Sequence, residues 1–200
     1  MITLNTEYNS IEDVEKLIIE NNIDKNSKLL IQVFTGILDI KFINQLIKDI
    51  NKTLANSEII GATTDGEIID GIVSINKTIV SITKFENVTF NIDYIEFEEN
   101  KTIEQSARIL ADKICNDDTK AIISFADGLN TNGEEFLNGL SLYRDDISIS
   151  GGLAGDNATF TNTFVFTNDK LITSGAVAVS LNGDLNVHTN YSFNWEPIGK

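Results

Sequence analysis

The chain has one cysteine, one histidine and one proline in 200 residues, and each scarcity excludes something. A lone cysteine, Cys115, can close no internal disulfide and fits a reducing compartment, so cytoplasm is the expected location. A lone histidine, His188, leaves no His/Cys cluster for a transition metal and no Ser-His-Asp relay, which needs its imidazole held by partners. With one proline and thirteen glycines, a long flexible or proline-stiffened linker is not expected. No apolar run approaches the roughly 20 residues that cross a bilayer. Met1 to Ser10 has neither the cationic start nor the apolar stretch of a signal peptide. Basic residues are scarce as well: 15 Lys and Arg stand against 30 Asp and Glu, a net charge of −15. Binding to phosphate backbones or anionic lipid rests on clustered cations, so neither nucleic acid nor membrane is expected as a partner.

What is present is an ordinary globular composition, 42% hydrophobic and 22% charged. Four segments have helical periodicity behind a start signal. Ser10 with Asp13 opens the first, Asp39 the second, Thr102 with Gln105 the third, and Thr131 with Glu134 the fourth, which is expected to bury Phe136, Leu137 and Leu140. Short apolar runs at Leu29 to Phe34, Glu58 to Gly61, Ala121 to Phe125 and Ile147 to Ser150 read as buried strands beside helices. Longer β segments are expected over Glu67 to Phe85, Val88 to Phe97, Phe160 to Phe166, Ser174 to Leu181 and Leu185 to Trp195. The last alternates apolar and polar residues, and Asn182-Gly183 is a hairpin signal before it.

The order of elements repeats. KLLIQVFTG at Lys28 to Gly36 matches KAIISFADG at Lys120 to Gly128; EIIGATTDGE at Glu58 to Glu67 falls where SISGGLAGD does at Ser148 to Asp156; IVSITKF resembles AVAVSLNG. The offset stays near about ninety residues, the mark of an internal duplication. The expected fold is a single α/β (mixed α+β) domain over residues 1–200. It has two α-β-α-β-β-β-β halves, near residues 10–98 and 102–195, with mixed or antiparallel sheets covered by helices.

Three turns each follow an apolar strand and set glycine beside a carboxylate or hydroxyl. They hold Gly61, Thr63, Thr64, Gly66 and Glu67; Asp127 and Gly128; and Gly151, Gly152, Gly155 and Asp156. Glycine lets backbone amides approach a ligand, and open α/β sheets bind ligands at the carboxyl ends of their strands. A pseudo-dyad between the halves would bring the first and third turns together, with Asp127 at the edge. Amides, two threonine hydroxyls and the Glu67, Asp127 and Asp156 carboxylates would then suit a small zwitterion. The plainer reading is that these are tight turns tied by their own Asp side chains. Neither glycine turn is a nucleotide motif, since no phosphate-binding Lys-Ser/Thr follows and the dinucleotide spacing is missing. No metal or organic cofactor is therefore expected. Cys115 reads as a structural thiol with no cation set beside it, and His188 as a solvated strand residue.

IIGATTDGEI, SFADGL, SISGGLAGDNATFTNTFVF, GAVAVSL and the closing WEPIG also resemble the N-terminal half of the FIST domain, from about Leu29 to Gly199. The resemblance implies an intracellular sensory domain that binds small ligands such as amino acids. It implies as partners a signalling output domain or protein and a C-terminal FIST half. Two departures stand out: Ala62 sits where family members often carry Cys, which removes a thiol-dependent role, and the chain stops at Lys200, about where a second half would begin. Ligand sensing is the expected function. A protein-interaction module is the alternative, and it would require an exposed apolar patch. An enzyme using Glu67 and Asp156 as acid and base would require both in one desolvated cleft.

Overall fold

The computed structural model describes residues 1–190. Its elements in chain order are β1 (Ile2–Glu7), α1 (Ile11–Glu20), β2 (Leu29–Thr35), α2 (Ile40–Thr53), β3 (Glu58–Thr63), β4 (Glu67–Ile69), β5 (Ile72–Ser74), β6 (Thr78–Lys84), β7 (Val88–Glu96), α3 (Ile103–Ile114), β8 (Thr119–Ala126), α4 (Gly133–Ser141), β9 (Ser148–Leu153), β10 (Val165–Thr167), β11 (Leu171–Ile172) and β12 (Gly175–Gly183).

Two sheets carry the fold. The first runs β1-β6-β2-β3-β10-β11 and the second β7-β12-β8-β9, while among the described residues β4 and β5 pair only with each other. In the first sheet β2 lies parallel to β3 and antiparallel to β6, which in turn pairs antiparallel with β1. In the second, β8 lies parallel to β9 and antiparallel to β12, which pairs antiparallel with β7. Strand for strand, β1-β6-β2-β3 and β7-β12-β8-β9 share one order and one set of directions. Each parallel pair is joined through a helix, α2 or α4, as parallel neighbours require.

Period-two alternation divides the apolar residues of the sheets between three cores. Leu29, Ile31 and Val33 of β2 point outward with Ile59, Val80 and Ile82, and pack on α1 and α2 through Val14, Ile43, Leu46 and Ile50. Leu30 and Ile60 point the other way, against Ala121, Phe125, Val177 and Val179 of the second sheet. Ile122, Ala176 and Ala178 face α3 and α4 through Leu110, Ile114, Phe136 and Leu140. The layers are thus helices, sheet, sheet, helices. Because β2, β8 and β12 are covered on both faces, they read as continuous apolar runs.

The helix starts follow their sequence signals. Asp39 accepts from the Lys41 amide, Thr102 and Gln105 bond each other's amides, and Asp13 accepts from the amides of Asn9 and Ser10. The fourth helix starts one residue later than expected. Asn132, not Thr131, is its cap, accepting from the amides of Glu134 and Glu135. Leu137 is exposed instead of buried, because the inner face of the helix is taken by Phe136, Gly139 and Leu140.

Other expectations are corrected. The polar N-terminus forms β1, an edge strand whose ladder uses backbone groups and needs little apolar character. The strand Val88–Glu96 belongs with the second sheet, because it pairs along its whole length with β12. The element order shared by the two sheets therefore begins with a strand and not the expected helix: β-α-β-α-β, a hairpin, then β. The segment Glu67 to Phe85 divides into β4, β5 and β6, broken at Asp70-Gly71 and at Asn76, all three with positive φ. Asn182 and Gly183 form no hairpin; they end β12, paired with Thr89 and Val88. Residues 184–190 make no ladder, although Leu185 and Val187 are more buried than Asn186 and His188, as the alternation requires. Tyr191, Phe193 and Trp195 lie outside the described residues.

Candidate functional site

The first and third glycine turns meet. Gly155 donates its amide to the Thr63 carbonyl (2.8 Å), and the Asp65 carboxylate accepts from the amides of Asp156 (2.9 Å) and Ala158 (3.2 Å). The contact is tight enough that a Cβ on Gly155 would lie 2.6 Å from the Asp65 carboxylate. The second turn joins through Gly128, whose amide donates to the Thr163 hydroxyl at 3.1 Å and whose Cβ position lies 2.0 Å from the Ala154 carbonyl. All three turns therefore gather at one end of the paired sheets.

The carboxylates within them are not exposed. Glu67 is 2% exposed, Asp127 0% and Asp156 4%. Glu67 accepts from the Thr64 hydroxyl (2.5 Å) and the Lys77 amide (3.0 Å), closing the turn into the β4–β5 hairpin. Asp127 accepts from the amides of Leu129 and Asn130, the Asn130 side chain and the Thr131 hydroxyl. Asp156 accepts from the amides of Thr159, Phe160, Thr161 and Asn162 and from the Thr159 hydroxyl. Burial opposes ionisation there, but the Thr161 amide, the Thr159 hydroxyl and the amides of Phe160 and Asn162 outweigh it and hold the carboxyl at about 2. The loop around Asp156 keeps Asn157, Ala158 and Phe160 at positive φ, a conformation costly for residues with a side chain and sustained here by those bonds. These buried carboxylates hold the turns in shape.

Several glycines have packing reasons. A Cβ on Gly61 would lie 2.2 Å from the ring of Phe166, its fully buried partner where β10 pairs antiparallel with β3. A Cβ on Gly151, at φ +148, would lie 1.8 Å from the Ser124 carbonyl. Gly66 is less constrained, 3.3 Å from the Ser74 carbonyl, and Gly152 has nothing within 4 Å.

Beside this junction the inner faces of the sheets part and leave a cavity of about 700 Å³, within the range of small-molecule sites. Of the residues singled out in the turns, Thr63, Thr64, Gly151 and Gly152 line it; Gly61, Gly66, Glu67, Asp127, Gly128, Gly155 and Asp156 do not. Its apolar wall includes Leu30, Phe34, Ala62, Phe125 and Leu181, with the Phe34 and Phe125 rings edge to face at 5.4 Å. Its polar groups include Gln32, the hydroxyls of Thr3, Thr64, Thr83, Ser148 and Ser150, Asn186 and His188. Among the described residues that line it, no side chain is an Asp, Glu, Lys or Arg. In a chain of charge −15 that is a selective exclusion.

Turn motifs do not point to these groups. Gln32 and Ser150 do carry a signal: each is a polar residue in a strand otherwise written for a core, Gln32 between the inward Leu30 and Phe34. Cys115 stands apart at the end of α3, where burial pushes its thiol up to about 11 against the opposing effect of the Thr119 hydroxyl. Among the described residues no helix is long and apolar enough to cross a membrane.

A family model described as the FIST N domain matches residues 29–200 of the chain. No curated protein matches it.

Proposed function

Because the chain belongs to the FIST family, a family of sensory domains, we propose that it senses a small ligand held in the cavity between its two sheets. The observation that carries this reading is a space of about 700 Å³ between the sheets whose lining, among the described residues, bears several hydroxyls and no Asp, Glu, Lys or Arg side chain. An edge-to-face aromatic pair and an aliphatic wall suit an apolar body, and Gln32, Thr64, Ser148 and Ser150 suit a few neutral polar groups. Glu67, Asp127 and Asp156 are spent holding the turns, so the ammonium of a free amino acid would have to be met by hydroxyls and backbone carbonyls instead of a carboxylate. The same saturation leaves an acid–base pair of Glu67 and Asp156 without support. A large neutral or singly charged compound fits the lining better than a small zwitterion. An amino acid with a bulky side chain is the second reading, favoured by the Thr64 hydroxyl and the Gly151-Gly152 backbone at the cavity wall. The signal would pass to an output domain or protein, or through a C-terminal FIST half.

A thermal-shift screen of neutral aromatic compounds, amino acids and dicarboxylates tests this. A ligand at one hundred times its dissociation constant adds about 2.7 kcal/mol to stability. Gly152→Trp is the control. Among the described residues a side chain there meets no atom within 4 Å of its Cβ, and Gly152 lines the cavity, so the fold should persist while the shift disappears. A shift that survives Gly152→Trp would place the ligand elsewhere.

A further inference from the structure

The two sheets differ at one edge. In the first, the outer side of β3 is covered by β10, part of the hairpin that follows β9 in the chain. The equivalent strand of the second sheet is β9, and among the described residues nothing pairs with its outer side. The equivalent hairpin is β4–β5, which follows β3 as β10–β11 follows β9, and it joins neither sheet. Among the described residues, one chain thus holds an edge without its hairpin and a hairpin without its edge.

Both are unfinished in the same chemical sense. Ile68, Ile72, Val73 and Ile75 of the hairpin segment are 65–70% exposed, and an isolated two-stranded hairpin is marginal in water. The β9 edge, SISGGL, has none of the lysines or prolines that usually guard an exposed strand. Beside β9, between it and α4, lies a second hollow of about 350 Å³ floored by Phe136 and Leu140 and rimmed by the exposed Leu137 and Leu153. A strand added to β9 would drop alternate side chains into that hollow and toward the inter-sheet side. The unpaired hairpin names the occupant, since a second copy carries the element that this edge lacks. The net charge of −15 opposes pairing least at this contact, because residues 148–154 contain no carboxylate and residues 68–75 only Asp70.

We propose that the β4–β5 hairpin of one copy of this chain adds to the free edge of β9 in a second copy, so that two molecules close a reciprocal dimer. The contact joins two different patches, and making it twice about a two-fold axis closes the assembly instead of extending it into a filament.

Sedimentation equilibrium on the whole chain tests this, with Val73→Lys in the hairpin and Leu153→Lys in β9 as probes. Both positions are exposed, so circular dichroism should report an unchanged fold. The wild type should populate a dimer, and each variant should raise its dissociation constant by about tenfold or more, because each buries an unpaired ammonium. A mixture of the two variants should dimerise more tightly than either alone, since it retains one wild-type hairpin facing one wild-type edge. A wild type that is monomeric at every concentration overturns the proposal. So does a Val73→Lys protein that dimerises like the wild type, which would mean edge-to-edge pairing of β9.

Discussion

Replacing Asp127 by alanine separates a structural carboxylate from a ligand-binding one. Asp127 ends β8, is wholly buried, and accepts from two backbone amides, Leu129 at 3.0 Å and Asn130 at 2.8 Å, besides two side chains. A hydrogen bond to a charged acceptor contributes about 1.5–3 kcal/mol, but Leu129 and Asn130 are exposed, so their freed amides regain water and the lower end applies. Two such amides and the loosened Thr131 contact give a loss of about 3 kcal/mol for Asp127→Ala. For a chain of this size that lowers the melting temperature by about 6–12 °C. Asp127→Asn keeps an acceptor for both amides and should lose about 1 kcal/mol. Urea unfolding followed by far-ultraviolet circular dichroism measures both. An Asp127→Ala protein within about 0.5 kcal/mol of the wild type, the range of an ordinary surface change, would refute the reasoning. Asp127 would then be available to a ligand after all.

The Asp156 carboxyl, held at about 2 against an ordinary 3.8, contributes stability that is fully present above pH 3.8 and is lost as pH falls toward 2. The difference in urea midpoint between wild type and Asp156→Asn should therefore stay constant from neutrality to about pH 4 and close between about pH 4 and pH 2. Gly61→Ala pushes a methyl into Phe166 and should destabilise by about 1–3 kcal/mol, with Phe166→Leu in the same chain recovering part of the loss in a double-mutant cycle. Cys115, with its thiol pushed up to about 11, should react with iodoacetamide at pH 8 far more slowly than an unfolded control; equal rates would show it is not half-buried.

Much of this fold is legible locally. Asp39 and Thr102 announce their helices because a cap bonds amides within a few residues of itself. The strands β2, β3, β8 and β9 announce themselves by apolar runs, and the parallel order of elements in the two halves is visible as repeated motifs. The three turns are also visible, and they do meet. Their role is harder to read. Glu67, Asp127 and Asp156 are indistinguishable in sequence from ligand carboxylates, because the same residue types serve both purposes. Whether such a group is free depends on which amides surround it, and those include Lys77, ten residues from Glu67.

By itself, then, the sequence marked most of the helices and the inner strands, the recurring order of motifs, the family and the net charge, all of which rest on composition and on contacts within a turn or a strand. Tertiary structure alone decided the rest. Edge strand β1 pairs with β6 about eighty residues away, and an edge ladder leaves little trace in side-chain pattern. Strand β7 belongs to the second sheet because β12 is its partner. Packing of the two sheets also brings Gln32 of β2 and Ser150 of β9 into the lining of one cavity, a juxtaposition of residues far apart in the chain that no local pattern records.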